Sequence, residues 1–114
     1  MLKANNRLRQ RRDIDRVYKR GTYGSAAGLL TVKAASGANR PSRAVVVVSK
    51  KIDKRAVVRN RLRRRLLGSL LEIWATVPDG YDIVISVHRD FRAAPSTELT
   101  AALTTALRHA RVMS

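Results

Sequence analysis

The sequence predicts a single α/β domain built in the order helix, two or three strands, helix, strand, helix. Three observations predict it. Apolar residues recur at helical spacing in three stretches, and strand-forming residues fill the intervals between them. The chain has 114 residues, 45% of them hydrophobic, which is enough for one core and too short for two. No internal repeat or low-complexity linker interrupts it, so residues 1–114 are read as one domain.

The first helix is expected over Arg11–Arg20, where Ile14, Val17 and Tyr18 stand at i, i+3 and i+4 and Gly21 follows as a stop. Leu29–Ala34 and Arg43–Ser49 favour strands. The stretch between them, Ser36, Gly37, Ala38, Asn39, Arg40 and Pro41, carries turn residues, so the two are expected to form a hairpin. The Val45–Val48 run does not alternate, which predicts a strand that is apolar on both faces and central in its sheet. A long helix is expected over Val57–Val77. Val58, Leu62, Leu66, Leu70, Ile73 and Val77 lie within about 120° of one another at 3.6 residues per turn and form its core stripe. Its first half is basic off that stripe. Its second half adds Leu67, Leu71 and Trp74 on the opposite side, so that end should be wrapped by protein. Pro78, Asp79 and Gly80 end the helix, Tyr81–Val87 reads as a strand, and Ser96–Val112 as a closing helix with Leu99, Leu103 and Leu107 inward.

Charge identifies the class of partner. The formal net charge is +16, and a compact chain that repels itself this strongly calls for a polyanion. Residues 1–67 hold 20 of the 24 Lys and Arg and only 3 of the 8 acids, so the binding surface belongs to that part. The absence of cysteine excludes disulfides, thiolate nucleophiles and Cys-based zinc sites. Residues 1–20 lack the apolar core of a secretion signal, and no stretch approaches the roughly 20 apolar residues of a membrane span. The expected location is the cytoplasm, with no membrane and no obligate protein partner.

The densest signal runs from Ser49 through Lys50, Lys51, Ile52, Asp53, Lys54, Arg55, Ala56, Val57, Val58, Arg59, Asn60, Arg61, Leu62, Arg63 and Arg64 to Arg65. Nine of the sixteen residues from Lys50 to Arg65 are cationic and one is acidic. Guanidinium groups on a rigid helix can grip phosphates bidentately, and Asn60 can offer a donor and an acceptor to a base edge or a 2′-hydroxyl. A basic helix by itself leaves DNA, RNA, anionic lipid and acidic protein open. A small ribosomal protein binding ribosomal RNA would share this size and charge.

This segment, centred on Arg59, Asn60 and Arg61, resembles the signature of the bacterial ribonuclease P protein subunit family. Arg7, Leu8 and Arg9, the Asp13, Ile14, Val17, Tyr18, Gly21 pattern, and Tyr81, Asp82, Ile83 and Val84 extend the likeness over nearly the whole chain. The resemblance implies an α+β sandwich like ribosomal protein S5 domain 2, in the order α-β-β-β-α-β-α. It also implies a left-handed crossover, although such connections are right-handed in about 98% of cases. It implies a subunit of an endoribonuclease ribonucleoprotein that removes 5′ leaders from precursor tRNA. The partners implied are ribonuclease P RNA and precursor tRNA. Carried over, Lys50, Lys51, Lys54, Arg55, Arg59, Asn60, Arg61, Arg63, Arg64 and Arg65 would contact RNA. Arg9, Arg12, Ile14, Tyr18 and Val32 would form a cleft for the leader. The family commonly has an aromatic residue where Ile14 stands and a basic one where Leu67 stands, while the position of Arg65 is often apolar.

Hydrolytic machinery is missing from the chain. Asp13 and Asp15 stand two apart on a helix and point to different sides, so they are expected to pair with arginines and not to share a metal. His88 and His109 show no ligand spacing, and structural roles are expected for both. Asp79, Asp82 and Asp90 read as turn and strand-edge residues, and Trp74 and Tyr81 as core packing. No catalytic or metal-binding residue is therefore expected in this chain. The required Mg2+ is assigned mainly to the partner RNA and substrate, with no cofactor intrinsic to the protein.

Overall fold

In the computed structural model, residues 2–26, 28–37 and 40–113 are described. The elements follow the expected order: α1 (Arg11–Arg20), β1 (Thr22–Ala26), β2 (Leu30–Ser36), β3 (Arg43–Val48), α2 (Ala56–Ile73), β4 (Tyr81–Val87) and α3 (Ser96–His109). Short 3₁₀ turns at Ala4–Asn6 and Trp74–Thr76 precede α1 and follow α2. The expected α1 coincides with the observed helix, because its amphipathic period and its terminal residues agree.

The four strands lie in the order β1-β2-β4-β3. β1 and β2 form an antiparallel hairpin, β2 pairs antiparallel with β4, and β3 pairs parallel with β4. Two expectations are corrected here. β2 and β3 are not a hairpin, since β4 lies between them; Ala38 and Asn39 of the expected turn lie outside the described residues. β3 is also an edge strand and not a central one. Its valines are apolar on both faces for another reason. Ala44, Val46 and Val48 pack into the main core beneath α2, Val45 packs on the smaller cluster beneath α1, and Val47 stays exposed. The central position falls to β4, where Asp82 to Ile85 are all buried.

Strand alternation divides the side chains between two faces. One face carries Leu30, Val32, Ala34, Ile83, Ile85 and Val87 against α2 and α3. The core stripe of α2 holds, with Val58, Leu62, Leu66 and Leu70 at 4% exposure or less. Each of these contributes about 2 kcal/mol of burial. Leu99, Leu103 and Leu107 of α3 point inward as expected, and Trp74 and Tyr81 pack on this core. The apolar second half of α2 is not wholly wrapped, however, because Leu71 remains exposed. α3 approaches β1 so closely that a Cβ on Gly24 would stand 2.1 Å from the Ala106 carbonyl oxygen, so only glycine fits there.

The other face is half covered. α1 lies over the end of β2 and β4 through Val17 and Ile14, which pack with Leu8, Ala35, Val84 and Val45. The rest of that face stays open.

Candidate RNA-binding surface

The stripe that α2 buries leaves the opposite side of the helix to solvent, with Asn60, Arg61 and Arg64 projecting outward and exposed. Among the described residues neither Arg61 nor Arg64 has a carboxylate or carbonyl partner, and Lys50, Lys51 and Lys54 are likewise exposed on the loop that leads in. The remaining cations of the segment are engaged. Arg59 donates to the backbone oxygens of Asp53 (3.1 Å) and Lys54 (2.8 Å), closing the loop onto the first turn. Arg63 donates to Asn60 Oδ1 at 2.5 Å. Arg55 forms a fork with Asp53 at 3.0 and 3.1 Å. The side-chain hydrogen bonds from Arg55, reinforced by its backbone N–H, lower the Asp53 pKa to about 2.

Arg65, expected among the RNA contacts, also serves as an internal clamp. It donates to the carbonyls of Phe91 (2.8 Å), Arg92 (3.0 Å) and Ala94, fastening the connection between β4 and α3. Its helical phase explains this, because residue 65 falls on the flank beside the stripe and not on the outward face.

The open sheet face beside α1 is the second half of the surface. Tyr18 is 45% exposed, and Lys33 Nζ sits 5.4 Å from its ring centroid. Arg9 and Arg12 are exposed at the start of α1, and Ile14 is half-buried at its foot. Val32 is corrected. It is 0% exposed and points into the main core, since strand parity gives the open face to its neighbours Thr31 and Lys33. Sequence reasoning also missed Tyr23, 58% exposed and opposite Lys33 in the register. Thr31 Oγ1 and His88 Nε2 share a hydrogen bond of 2.8 Å, while His109 Nδ1 lies 3.1 Å from the Ser25 carbonyl oxygen.

Around the open edge of β3, Arg7, Arg9 and Arg63 ring an apolar hollow of about 280 Å³ floored by Leu2, Leu8 and Leu67. Thus the N-terminal segment carries positive charge from the α2 side of the sheet to the α1 side.

Beneath α1 lies a feature that sequence reading placed wrongly. Asp82 is no strand-edge residue; it is 1% exposed and accepts from Arg43 (2.7 and 2.8 Å), Arg40 (2.7 Å) and Arg16 (2.9 Å). Burial pushes its carboxyl up, but the hydrogen bonds of Arg43 and Arg16 and the charges of Arg43 and Arg40 outweigh it, and the carboxyl stays below its usual range. Asp13 pairs with Arg43 at 3.4 Å and Asp15 with Arg11 at 3.3 Å, as their expected partnership with arginines requires. Asp90 forms a turn with Arg92. Among the described residues, no three His, Cys, Asp or Glu side chains converge as metal ligands, and no helix is long and apolar enough to cross a membrane.

Comparison with known proteins bears on what this surface serves. The ribonuclease P family profile matches residues 2–111. The ribonuclease P protein component of a Pseudanabaena species is 39% identical over 93 residues, which cover 76% of this chain and 75% of that protein. That of Beutenbergia cavernae is 35% identical over 99 residues, covering 87% and 82%. The ribonuclease P proteins of Staphylococcus aureus and Thermotoga maritima share the fold, each with a TM-score of 0.79. The first is 22% identical and covers 96% of this chain and 98% of its own; the second is 24% identical and covers 95% and 98%. The chain belongs to the ribonuclease P protein component family, the protein side of a ribonucleoprotein endoribonuclease with a role in tRNA 5′ processing.

Proposed function

We propose that α2 lays its outward face on ribonuclease P RNA, while the open sheet face beside α1 holds the single-stranded 5′ leader of precursor tRNA. The single observation that carries the first half is the pair Arg61 and Arg64. They are exposed cations on a rigid helix without a protein partner among the described residues, and Asn60 stands beside them. Exposed cations held apart from acids neutralise phosphates and release counterions. The second half rests on Tyr18, Tyr23 and Lys33, which give the open face aromatic rings and a charge suited to unstacked bases and their backbone. Five of the eight acidic residues, Asp13, Asp15, Asp53, Asp82 and Asp90, each face an arginine, and no three potential ligands converge among the described residues, which supports seating magnesium elsewhere. Mg2+ is accordingly assigned to the RNA and substrate, hydrolysis to the RNA subunit, and binding and electrostatics to the protein. The reading places this work in the cytoplasm without an obligate protein partner.

Reconstitution tests it. The parent protein, added to a bacterial ribonuclease P RNA and precursor tRNA at low magnesium, should raise cleavage. Arg61→Ala with Arg64→Ala should weaken binding to the RNA by about 1–3 kcal/mol and flatten its dependence on log salt by roughly two phosphates' worth. An unchanged salt slope would place the phosphate contacts off α2. Tyr18→Ala should reduce the preference for precursor over mature tRNA more than it reduces affinity for the RNA subunit; equal losses would remove the leader from this face.

A further inference from the structure

A second hollow, of about 280 Å³, opens where α1 ends, at the opposite end of the sheet from the basic loop that leads into α2. Its lining brings together Arg16, Arg20 and Arg111 with Thr22, Ser36 and Tyr81, and includes no carboxylate. Arg16 is held beside it by Asp82, a residue already shared among three arginines. Arg20 and Arg111 are exposed, and among the described residues neither has an acidic partner.

Backbone geometry gives an independent observation. α3 ends in a Schellman turn, in which the Val112 N–H donates to the Leu107 carbonyl and the Arg111 N–H to that of Arg108, both at 3.0 Å. The residue at the turn must be left-handed, a position where glycine is favoured because it has no Cβ. Here it is Arg111 with φ 63°, the one non-glycine residue of positive φ among those described. A strained arginine that lines a cationic hollow is a pointer to use of its side chain.

We propose that this hollow is a second phosphate site, in which Arg20 and Arg111, backed by Arg16, take a phosphodiester of RNA. The proposal rests on the RNA-binding reading above and extends it to the far end of the molecule. The hollow reaches the α1 side of the sheet, where the open face lies, through Arg16 and Arg20 of α1 and Ala35 of β2. The phosphodiester therefore belongs either to the leader running off that face or to the RNA subunit.

The test compares Arg111→Gly, Arg20→Gln and Arg20→Lys with the parent protein. Thermal melts come first, and Arg111→Gly should melt no lower than the parent, since glycine relieves the left-handed strain. Two binding arms follow at several salt concentrations: protein with ribonuclease P RNA alone, and holoenzyme with precursor against mature tRNA. Arg111→Gly and Arg20→Gln should each weaken binding about fivefold or more in one arm and lower its log-salt slope by about one phosphate, while Arg20→Lys keeps the slope. Loss confined to the precursor arm identifies the leader as donor of the phosphate; loss in the RNA arm identifies the subunit. If both variants retain parental affinity and slope in both arms, the hollow binds no phosphate. That result leaves the α2 reading intact when the Arg61 and Arg64 variants still lose affinity, so the two failures can be told apart.

Discussion

Arg43 and Arg64 carry the same side chain and do opposite work. Arg43 reaches one buried carboxylate with two nitrogens and a second one, Asp13, with another, and it stands with Arg16 and Arg40 around Asp82. Arg64 sits on the outward side of α2 among other cations, exposed and, among the described residues, without an acid to answer it. Net charge alone does not separate the two groups. An arginine without an internal partner keeps all of its directional donors for a phosphate, whereas one hydrogen bonded to carboxylate or carbonyl has part of them engaged within the fold.

Substitutions on both sides sharpen this contrast. The largest expected effect is on the buried group. Asp82→Asn leaves three guanidinium groups crowded without their carboxylate and should destabilise the fold by about 2–3 kcal/mol, after allowance for the water around the arginines. A melting temperature that does not fall would mean that α1 is held by its apolar contacts and the Asp13–Arg43 pair without help from Asp82. The same group sets a pH dependence. Its folded pKa is depressed, so its stabilisation is complete above the unfolded carboxylate value of about 3.9 and is lost as pH falls through the lower folded value. In Asp82→Asn that part of the acid unfolding profile should vanish.

Arg65→Ala should cost about 1–2 kcal/mol of stability, since the Arg92 and Ala94 carbonyls lose their donor while that of Phe91 keeps the Ala94 N–H, yet leave the salt slope of RNA binding unchanged. A shallower slope would return Arg65 to the RNA surface. The smallest effect belongs to Gly68, in the middle of α2, where an added Cβ meets nothing within 4 Å. Gly68→Ala should stabilise by about 0.5–1 kcal/mol through helix propensity, read from a chemical denaturation curve. If it also lowers RNA affinity, the glycine serves close approach of an RNA backbone along the line of Arg61 and Arg64.

Much of the fold and part of the surface were legible in the sequence. Helices announce themselves locally, and the periods of Ile14 and Val17, of Val58 to Leu70, and of Leu99 to Leu107 each put the right face inward, although Tyr18, on the same period as Ile14, stays exposed. The outward cations of α2 follow from the same period. Strand order was not legible, because pairing β3 with β4 is settled across the whole of α2, and an all-valine run reads alike at an edge and at the centre. The misplacement of Val32 was avoidable. Leu30, Val32 and Ala34 alternate with Thr31 and Lys33, and that parity already assigned Lys33 to the open face. Asp82 gave no local sign, since its arginine partners lie 39, 42 and 66 residues away. Tyr23 lay in a short strand, Thr22–Ala26, whose glycine and small residues gave little β signal.

The outer edge of β3 has a consequence for handling the molecule. The N-terminal segment pairs with that strand at a single residue, where Arg7 bridges Ala44, and the valines beyond it belong to a run that would template addition of another chain's strand. Arg7, Arg9 and Arg63 crowd that border, so mutual repulsion keeps copies from stacking edge to edge. Concentrated electrolyte screens this repulsion, and stock solutions of the isolated polypeptide should therefore self-associate more readily in strong brine than in dilute buffer.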